Sequence, residues 1–303
     1  MTNRAKAHIA VCICTYKRPE MLGRLLRALG DQDTRGRFTY SVVISDNDAD
    51  ASGKEVAAQF QASSTVTLSY YQEPRQNIAL ARNKAIAGAT GNYVAFIDDD
   101  EFPTKDWLFL MLKTCEDYGC DGVLGPVKPY FDVQPPKWVL KGRFFDRPTH
   151  QTGFIVPGSE GRTGNLLFKT EILEGDTQPF RPEYGSGGED RDFFARMLSK
   201  GRVFIWCDEA AVYETVPPVR WQRSFMLKRA LLRGKVDLVD PSARLKNLLK
   251  AAIAVPVYSL ALPFLVLFGH HMVMKFLIRL FDHLGRLLAF VGVDPVKEKY
   301  VTG

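Results

Sequence analysis

The sequence predicts an α/β protein: a mostly parallel central sheet flanked by helices, followed by a hydrophobic and amphipathic helical region that associates with a membrane. Three observations carry this. Short apolar runs rich in β-branched residues alternate with helix-period segments at the spacing of strand-helix-strand units. Acidic residues cluster directly after two of those runs, and a long stretch near the C-terminus holds no charged side chain.

Residues 8–14 (HIAVCIC) read as the first strand, and residues 15–19 (TYKRP) as a turn with Pro19 suited to a first helical position. Leu22, Leu25, Leu26 and Leu29 then mark an amphipathic helix. Residues 40–45 form a second strand ending in an acidic loop at 46–50, and a helix over 53–61 leads to a third strand at 66–71. The alanine-rich segment 77–89 is helical. Residues 93–97 (YVAFI) are a buried fourth strand, with Asp98, Asp99 and Asp100 at its end and a helix beginning near Thr104. A strand at 121–127 precedes a segment, 129–159, that is rich in Pro, Gly, Trp and Phe and keeps no period; it reads as a long active-site insertion. A short strand at 166–168, a glycine-rich approach at 184–188 and a helix opened by Glu189 and Asp190 follow. The last strands are 202–207, an expected edge strand, and 211–214. These elements divide the chain into a sheet domain, residues 1–235, and a basic helical tail, residues 236–303.

The 303 residues suffice for one large core, or one large and one small. The formal charge is +6, but residues 220–303 hold fourteen Lys and Arg against five Asp and Glu, so the rest of the chain is net acidic. A basic tail points to an anionic surface, either lipid headgroups or a phosphorylated ligand. Nucleic acid is disfavoured, because the chain has no zinc-ligand spacing and no uniformly basic domain. Cys12, Cys14, Cys115, Cys120 and Cys207 are odd in number and lack paired metal-ligand spacing, which indicates a reducing compartment. Residues 1–8 are polar with no signal-peptide core, so the N-terminal domain is expected to stay in the cytoplasm.

In parallel sheets ligands sit beyond the carboxyl ends of the strands, and Thr15, Asp46, Asp98 and Asp100 all fall there. Three carboxylates at the end of a buried strand need neutralisation. A hard cation, Mg2+ or Mn2+, with a phosphate partner would supply it; a solvated acidic turn is the alternative. Along an extended segment Asp98 and Asp100 share one side, and Asp99 faces away. No His lies between residue 151 and the last strand, so the metal site is expected to be all-oxygen. Glu189 and Asp190 stand at a helix start, where one serves as a general base or both simply cap the helix. By spacing alone Arg82 reads as a solvated helix residue, with a partner in Asp46 or a phosphate as the alternative. Arg220, Arg223, Lys228 and Arg229 suit a diphosphate or a membrane equally. No G-x-G-x-x-G follows the first strand, which disfavours a dinucleotide.

In order, Cys14-Thr15-Tyr16-Lys17-Arg18-Pro19, Ser45-Asp46-Asn47, Asn77 with Ala81-Arg82-Asn83, Phe96-Ile97-Asp98-Asp99-Asp100 and Gly188-Glu189-Asp190 resemble the family 2 inverting glycosyltransferases of GT-A fold. More closely they resemble the bacterial exopolysaccharide glucosyltransferases of the succinoglycan type, over residues 8–235. The resemblance implies transfer of a hexose, glucose, from a UDP-sugar to a hydroxyl of a polyprenyl-diphosphate-linked saccharide at the cytoplasmic face of the inner membrane. It implies Asp190 as base with Glu189 beside it, and Asp100 and Asp98 at Mn2+ or Mg2+. Thr15 would line the nucleotide pocket and Asp46 would bond the uracil. Arg82 would hold Asp98 or the nucleotide, and Asn165 would lie near sugar or acceptor. The chain departs from the family at Tyr213-Glu214, where many relatives carry a His. Asp100 with waters or Glu214 would complete the shell, or Lys228 and Arg229 would take over the phosphate charge. A nucleotidyltransferase is the first alternative, disfavoured because residues 15–19 lack glycine. A non-catalytic nucleotide-binding protein of a membrane assembly is the second.

Residues 251–274 carry no formal charge and are long enough to span a bilayer, although Pro256 and Pro263 favour a re-entrant or shallow hairpin instead. Lys275, Arg279, Asp282 and Arg286 then form a polar stripe on a helix suited to the membrane interface. Lys246, Lys250, Lys275 and Arg279 would meet membrane lipids. Packing of these helices on one another, or a homo-oligomer built through them, is the alternative.

Overall fold

The computed structural model describes residues 6–185, 187–236, 241–293 and 296. The chain forms two compact units, Met1–Tyr130 with Arg147–Thr215, and Phe131–Asp146 with Val216–Gly303. The division differs from the expected boundary at 235/236. Residues 216–235 go with the tail, and so does half of the aperiodic insertion.

In the first unit, strand β1 (Ala7–Thr15) leads through Pro19 to helix α1 (Pro19–Gly30), whose Leu22, Leu25, Leu26 and Leu29 are all buried. Each such leucine contributes roughly 2 kcal/mol of burial. Strand β2 (Phe38–Asp46), helix α2 (Lys54–Ser63), strand β3 (Leu68–Gln72), helix α3 (Ile78–Gly88) and strand β4 (Tyr93–Phe96) follow as expected. Asn77 starts α3 because its side-chain oxygen accepts the Leu80 amide at 3.1 Å. Parallel pairing sets Thr15 opposite Asp46 at the ends of β1 and β2, while β4 ends at Phe96 opposite Cys12, three residues before the end of β1. That register places the carboxylates that follow β4 beside the turn that follows β1.

Beyond β4 the sequence reading needs correction. A three-residue strand, β5 (Glu101–Pro103), precedes helix α4 (Trp107–Tyr118), so the helix starts later than Thr104. Residues 121–127 form two strands that serve different sheets: β6 (Gly122–Leu124) and β7 (Val127–Tyr130). The main sheet runs β3-β2-β1-β4-β8-β6-β9, where β8 is Leu166–Lys169 and β9 is Phe204–Trp206. Strand β8 is antiparallel to both its neighbours, so the sheet is mixed on that side. β9 stands at the edge, as its brevity predicts. A small second sheet orders β5-β10-β7, with β10 at Val212–Thr215. Between β8 and β9 lies helix α6 (Glu189–Ser199). It buries Phe193, Phe194 and Met197 in an aromatic layer with Phe168, Phe180 and Phe204. All five cysteines are free thiols.

The second unit contains helix α5 (Lys137–Gly142), from the insertion, and helices α7 (Arg223–Val236), α8 (Pro241–Leu265) and α9 (His270–Phe290). Helix α8 runs through Pro256 and Pro263, and the chain reverses at Gly269, whose φ of 96° suits glycine. Helices α7 and α9 touch backbone to backbone. A Cβ on Gly234 would stand 2.1 Å from the Asp282 carbonyl oxygen, and one on Gly285 would stand 2.3 Å from that of Leu231. The Arg233 guanidinium locks the crossing with a two-point bridge to Asp282 at 3.0 and 2.9 Å. Asp282, one residue of the polar stripe, therefore faces α7. Gly234→Ala should loosen this crossing by about 2 kcal/mol or more. The expected result is faster proteolysis of the tail helices with the melting of the sheet unit unchanged.

Candidate active site

After Phe96 the chain leaves extended geometry. The Glu101 amide donates back to the Asp98 carbonyl at 3.0 Å, so residues 98–101 form a turn of four consecutive carboxylates. The turn is not solvated, since Asp99, Asp100 and Glu101 are buried. Strand alternation fails here, and Asp99 does not face away. Its Oδ2 accepts the Thr15 hydroxyl at 2.8 Å, and its Oδ1 accepts from Arg18 at 3.0 Å. The same Arg18 Nη1 donates to Asp100 at 3.2 Å. Burial pushes Asp99 up to about 6, with Arg18 opposing.

Asp98 takes a different direction. Its side chain is 45% exposed, and one oxygen lies 3.9 Å from Arg82. Arg82 is buried, not solvated, and its guanidinium forms a short ion pair with Glu189 at the start of α6. Arg82 thus ties the end of β4 to the helix that carries Asp190. The N-cap of α6 is Gly188 at φ 96°, so Glu189 and Asp190 lie in the first turn and not at the cap position. Glu189 is committed to Arg82, whereas the Asp190 carboxylate accepts only from the adjacent Arg191 amide, at 2.7 Å, among the hydrogen bonds described.

A second arginine comes from the insertion. Arg147 pairs with Glu214 on β10 and acts electrostatically on Glu101 and Asp98. Glu101 is held well above the usual carboxylate range by burial and by the Asp98 charge, against Arg147. Its Oε1 is buried and has no hydrogen-bond partner. Burial and the nearby Arg147 charge pull Arg162 down to about 10.

The remaining expected residues fall in three places. Asp46 is fully buried at the end of β2, where its carboxylate accepts the Asp48 and Gly53 amides and the Tyr70 hydroxyl. It shapes the loop that borders the site. Asn165 is also fully buried. Its amide oxygen accepts from the Trp107 indole at 2.7 Å, and its nitrogen donates to the carbonyls of Pro126 and Ala210. It braces the second sheet and has no atom left for a sugar. Lys228 and Arg229 lie on α7, in the other compact unit. Arg18, Asp99 and Arg147 were missed. Arg18 had a signal, as a cation one residue before Pro19 at a strand end, but Arg147 sits in sequence without any period.

Among the described residues no three His, Cys, Asp or Glu side chains form a ready-made metal site. The donors nevertheless fit a hard cation whose shell a ligand completes. They are all oxygen, and the buried Glu101 Oε1 and the Asp98 Oδ2 converge on the space beside Gly164, where a Cβ would stand 2.9 and 3.0 Å from them.

Residues 10–172 match the family model described as glycosyl transferase family 2. The chain belongs to that family. The succinoglycan biosynthesis protein ExoM of Rhizobium meliloti is 34% identical over 232 residues, 75% of this chain and 73% of the relative. Glycosyltransferase AglE of Haloferax volcanii is 27% identical over 60% of this chain and 58% of its own. Among solved structures, residues 1–349 of S. aureus TarS in complex with UDP superpose with a TM-score of 0.54 at 18% identity, covering 96% of this chain and 94% of that chain. In the longer TarS structure the match covers 39% of that chain. At this identity the likeness is one of fold, and it agrees with a GT-A sheet in this family 2 member.

Two outcomes test the geometry. Arg18→Ala leaves Asp99 buried without its counter-charge, so its pKa should rise further above the unfolded value. Because a raised carboxylate loses stability as pH rises through its folded pKa, the loss should approach about 3 kcal/mol at pH 8 and shrink below pH 5 in denaturant melts. Asn165→Ala, which leaves the buried Trp107 indole and Ala210 carbonyl without the partner they have here, should cost roughly 3 kcal/mol at either pH.

Proposed function

We propose that this protein is an inverting hexosyltransferase. It moves a hexose, glucose by its resemblance, from a UDP-sugar to a hydroxyl of a polyprenyl-diphosphate-linked saccharide in surface or exopolysaccharide biosynthesis. The observation that carries the reading is the Asp98–Arg82–Glu189 chain of contacts. It couples a carboxylate turn at the strand ends to a helix start whose next residue, Asp190, is not consumed by a buried partner. Family membership supplies the reaction class. The UDP donor is supported by the TarS structures with UDP and UDP-GlcNAc, and the pathway by the printed role of ExoM.

In this reading the nucleotide lies over the ends of β1 and β2, bordered by Thr15 and by the loop that Asp46 folds. Asp98 and Asp100 face the diphosphate. Six carboxylates (Asp98, Asp99, Asp100, Glu101, Glu189 and Glu214) meet four arginines (Arg18, Arg82, Arg147 and Arg162), and this acidic excess repels a bare diphosphate. Mn2+ or Mg2+, held by Asp98 and Asp100, would offset the charge on the departing UDP when bound. Asp190 removes the proton from the acceptor hydroxyl. That oxygen bonds to the anomeric carbon as the bond to UDP breaks on the opposite face, and the configuration inverts. Glu189, paired with Arg82, fixes the direction of the helix start and so of Asp190. Residues 236–303 keep the enzyme at the cytoplasmic face of the plasma membrane, where a lipid-linked acceptor is found.

Asp190→Asn should bind UDP within about twofold of the parent while transfer falls by about a hundredfold or more, as expected for loss of a general base. Transfer at the parental rate removes Asp190 from the role. Chelation of divalent cations should abolish UDP binding by calorimetry, and added Mn2+ or Mg2+ should restore it.

A further inference from the structure

Helix α8 has two unlike faces. On one it meets α9: Ala251 is fully buried, and Tyr258 packs on Phe276 at 5.5 Å and near His283 at 5.7 Å. Arg244 lies over Phe290 at 5.8 Å, so α8 and α9 run antiparallel from the turn at residues 266–269. The other face is bare. Leu245, Leu249, Ile253, Val257, Leu260 and Phe264, at spacings of three and four, are each 56–73% exposed, and Leu267 at the turn is 85% exposed. From Leu245 to Phe264 the stripe runs about 29 Å at 1.5 Å per residue. Among the described residues this is the one helix long and apolar enough to cross a membrane.

The rest of the unit opposes a crossing. Helix α9 lies along α8 and carries Lys275, Arg279, Asp282 and Arg286 within its span. Asp282 is bridged to Arg233 of α7, and the glycine contacts clasp those two helices backbone to backbone. If α8 crossed a bilayer with its neighbours in place, these charges would enter hydrocarbon. A helix lying flat exposes only its bare face to the acyl chains. The charges favour an anionic surface: residues 241–281 contain no Asp or Glu, while Arg244, Lys246, Lys250 and Arg279 are exposed.

We infer that α8 is an in-plane membrane anchor, lying on an anionic leaflet through its Leu245–Leu267 face with α9 and α7 on the aqueous side, and does not cross the bilayer. The inference rests on the membrane-associating role proposed for the tail and specifies its depth, orientation and lipid charge.

The test uses the full chain with vesicles of phosphatidylcholine alone or with phosphatidylglycerol added. The expected result is flotation with the anionic vesicles, weakened about tenfold or more by Ile253→Glu with Leu260→Glu. Both sites are exposed, so folding is unaffected, and UDP binding in the same preparation should be unchanged. In a second arm, His271→Cys, at the start of α9 just past the turn, on vesicle-bound protein should be labelled by a membrane-impermeant maleimide added outside and not by one trapped inside. Labelling from the inside overturns the inference in favour of a crossing helix. Absence of vesicle binding, with a dimer that the two glutamates dissociate, overturns it in favour of a second copy of the chain on the bare face. Loss of UDP binding by the parent would count against the transferase reading alone.

Discussion

Buried negative charge at the tip of β4 is the constraint to which the sheet unit answers. Four successive carboxylates occupy one turn, and three of them are buried. Such a turn folds only if cations reach it from elsewhere, because desolvation and mutual repulsion both oppose ionisation. Three elements far apart in sequence meet that demand. The turn before α1 supplies Arg18, α3 supplies Arg82, and the insertion supplies Arg147. Each arginine pins its own element, so the charge balance of the site is also part of the tertiary architecture.

That arrangement shapes what the site can do. Asp99 is spent on Thr15 and Arg18 and holds the turn in place, while Asp98 stays half exposed and available to a ligand. Arg82 has a second use. By gripping Glu189 it sets the start of α6, and Gly188 supplies the left-handed backbone that lets the chain enter the helix there. The distance between a strand-end carboxylate and a helix-start carboxylate is thereby governed by a buried guanidinium and not by a flexible loop. Pre-ordering of this kind fixes the separation of two charged groups before a ligand arrives.

The tail obeys a different physics. Glycines at the crossing of α7 and α9 allow backbone contact, and an arginine bridge holds it. With that side closed, the apolar face of α8 is exposed among the described residues of the unit. Burial of such a face contributes free energy only when something apolar covers it. Residues 241–281 contain no Asp or Glu, so the charge beside that face is basic, which is the sense that suits an anionic surface.

The apolar periods of the first four strands and three helices were legible directly from the sequence, because each buries a face set by local residue spacing. The family was legible too, from short motifs in a definite order. Local spacing does not report charge pairing or sheet switching. Strand alternation mis-assigned Asp99 because residues 98–101 form a turn. Arg82 read as solvated because its partners, Asp98 and Glu189, come from other elements. Asn165 read as a site residue, although its amide is used up by Trp107, Pro126 and Ala210. Residues 121–127 read as one strand, where the chain leaves one sheet for another. Sequence therefore determined the helices and strands whose buried face follows local spacing, and which residues carry charge. The tertiary structure decided which charges neutralise one another and which carboxylates stay available, because burial and ion pairing are set by residues that meet only once the chain has folded.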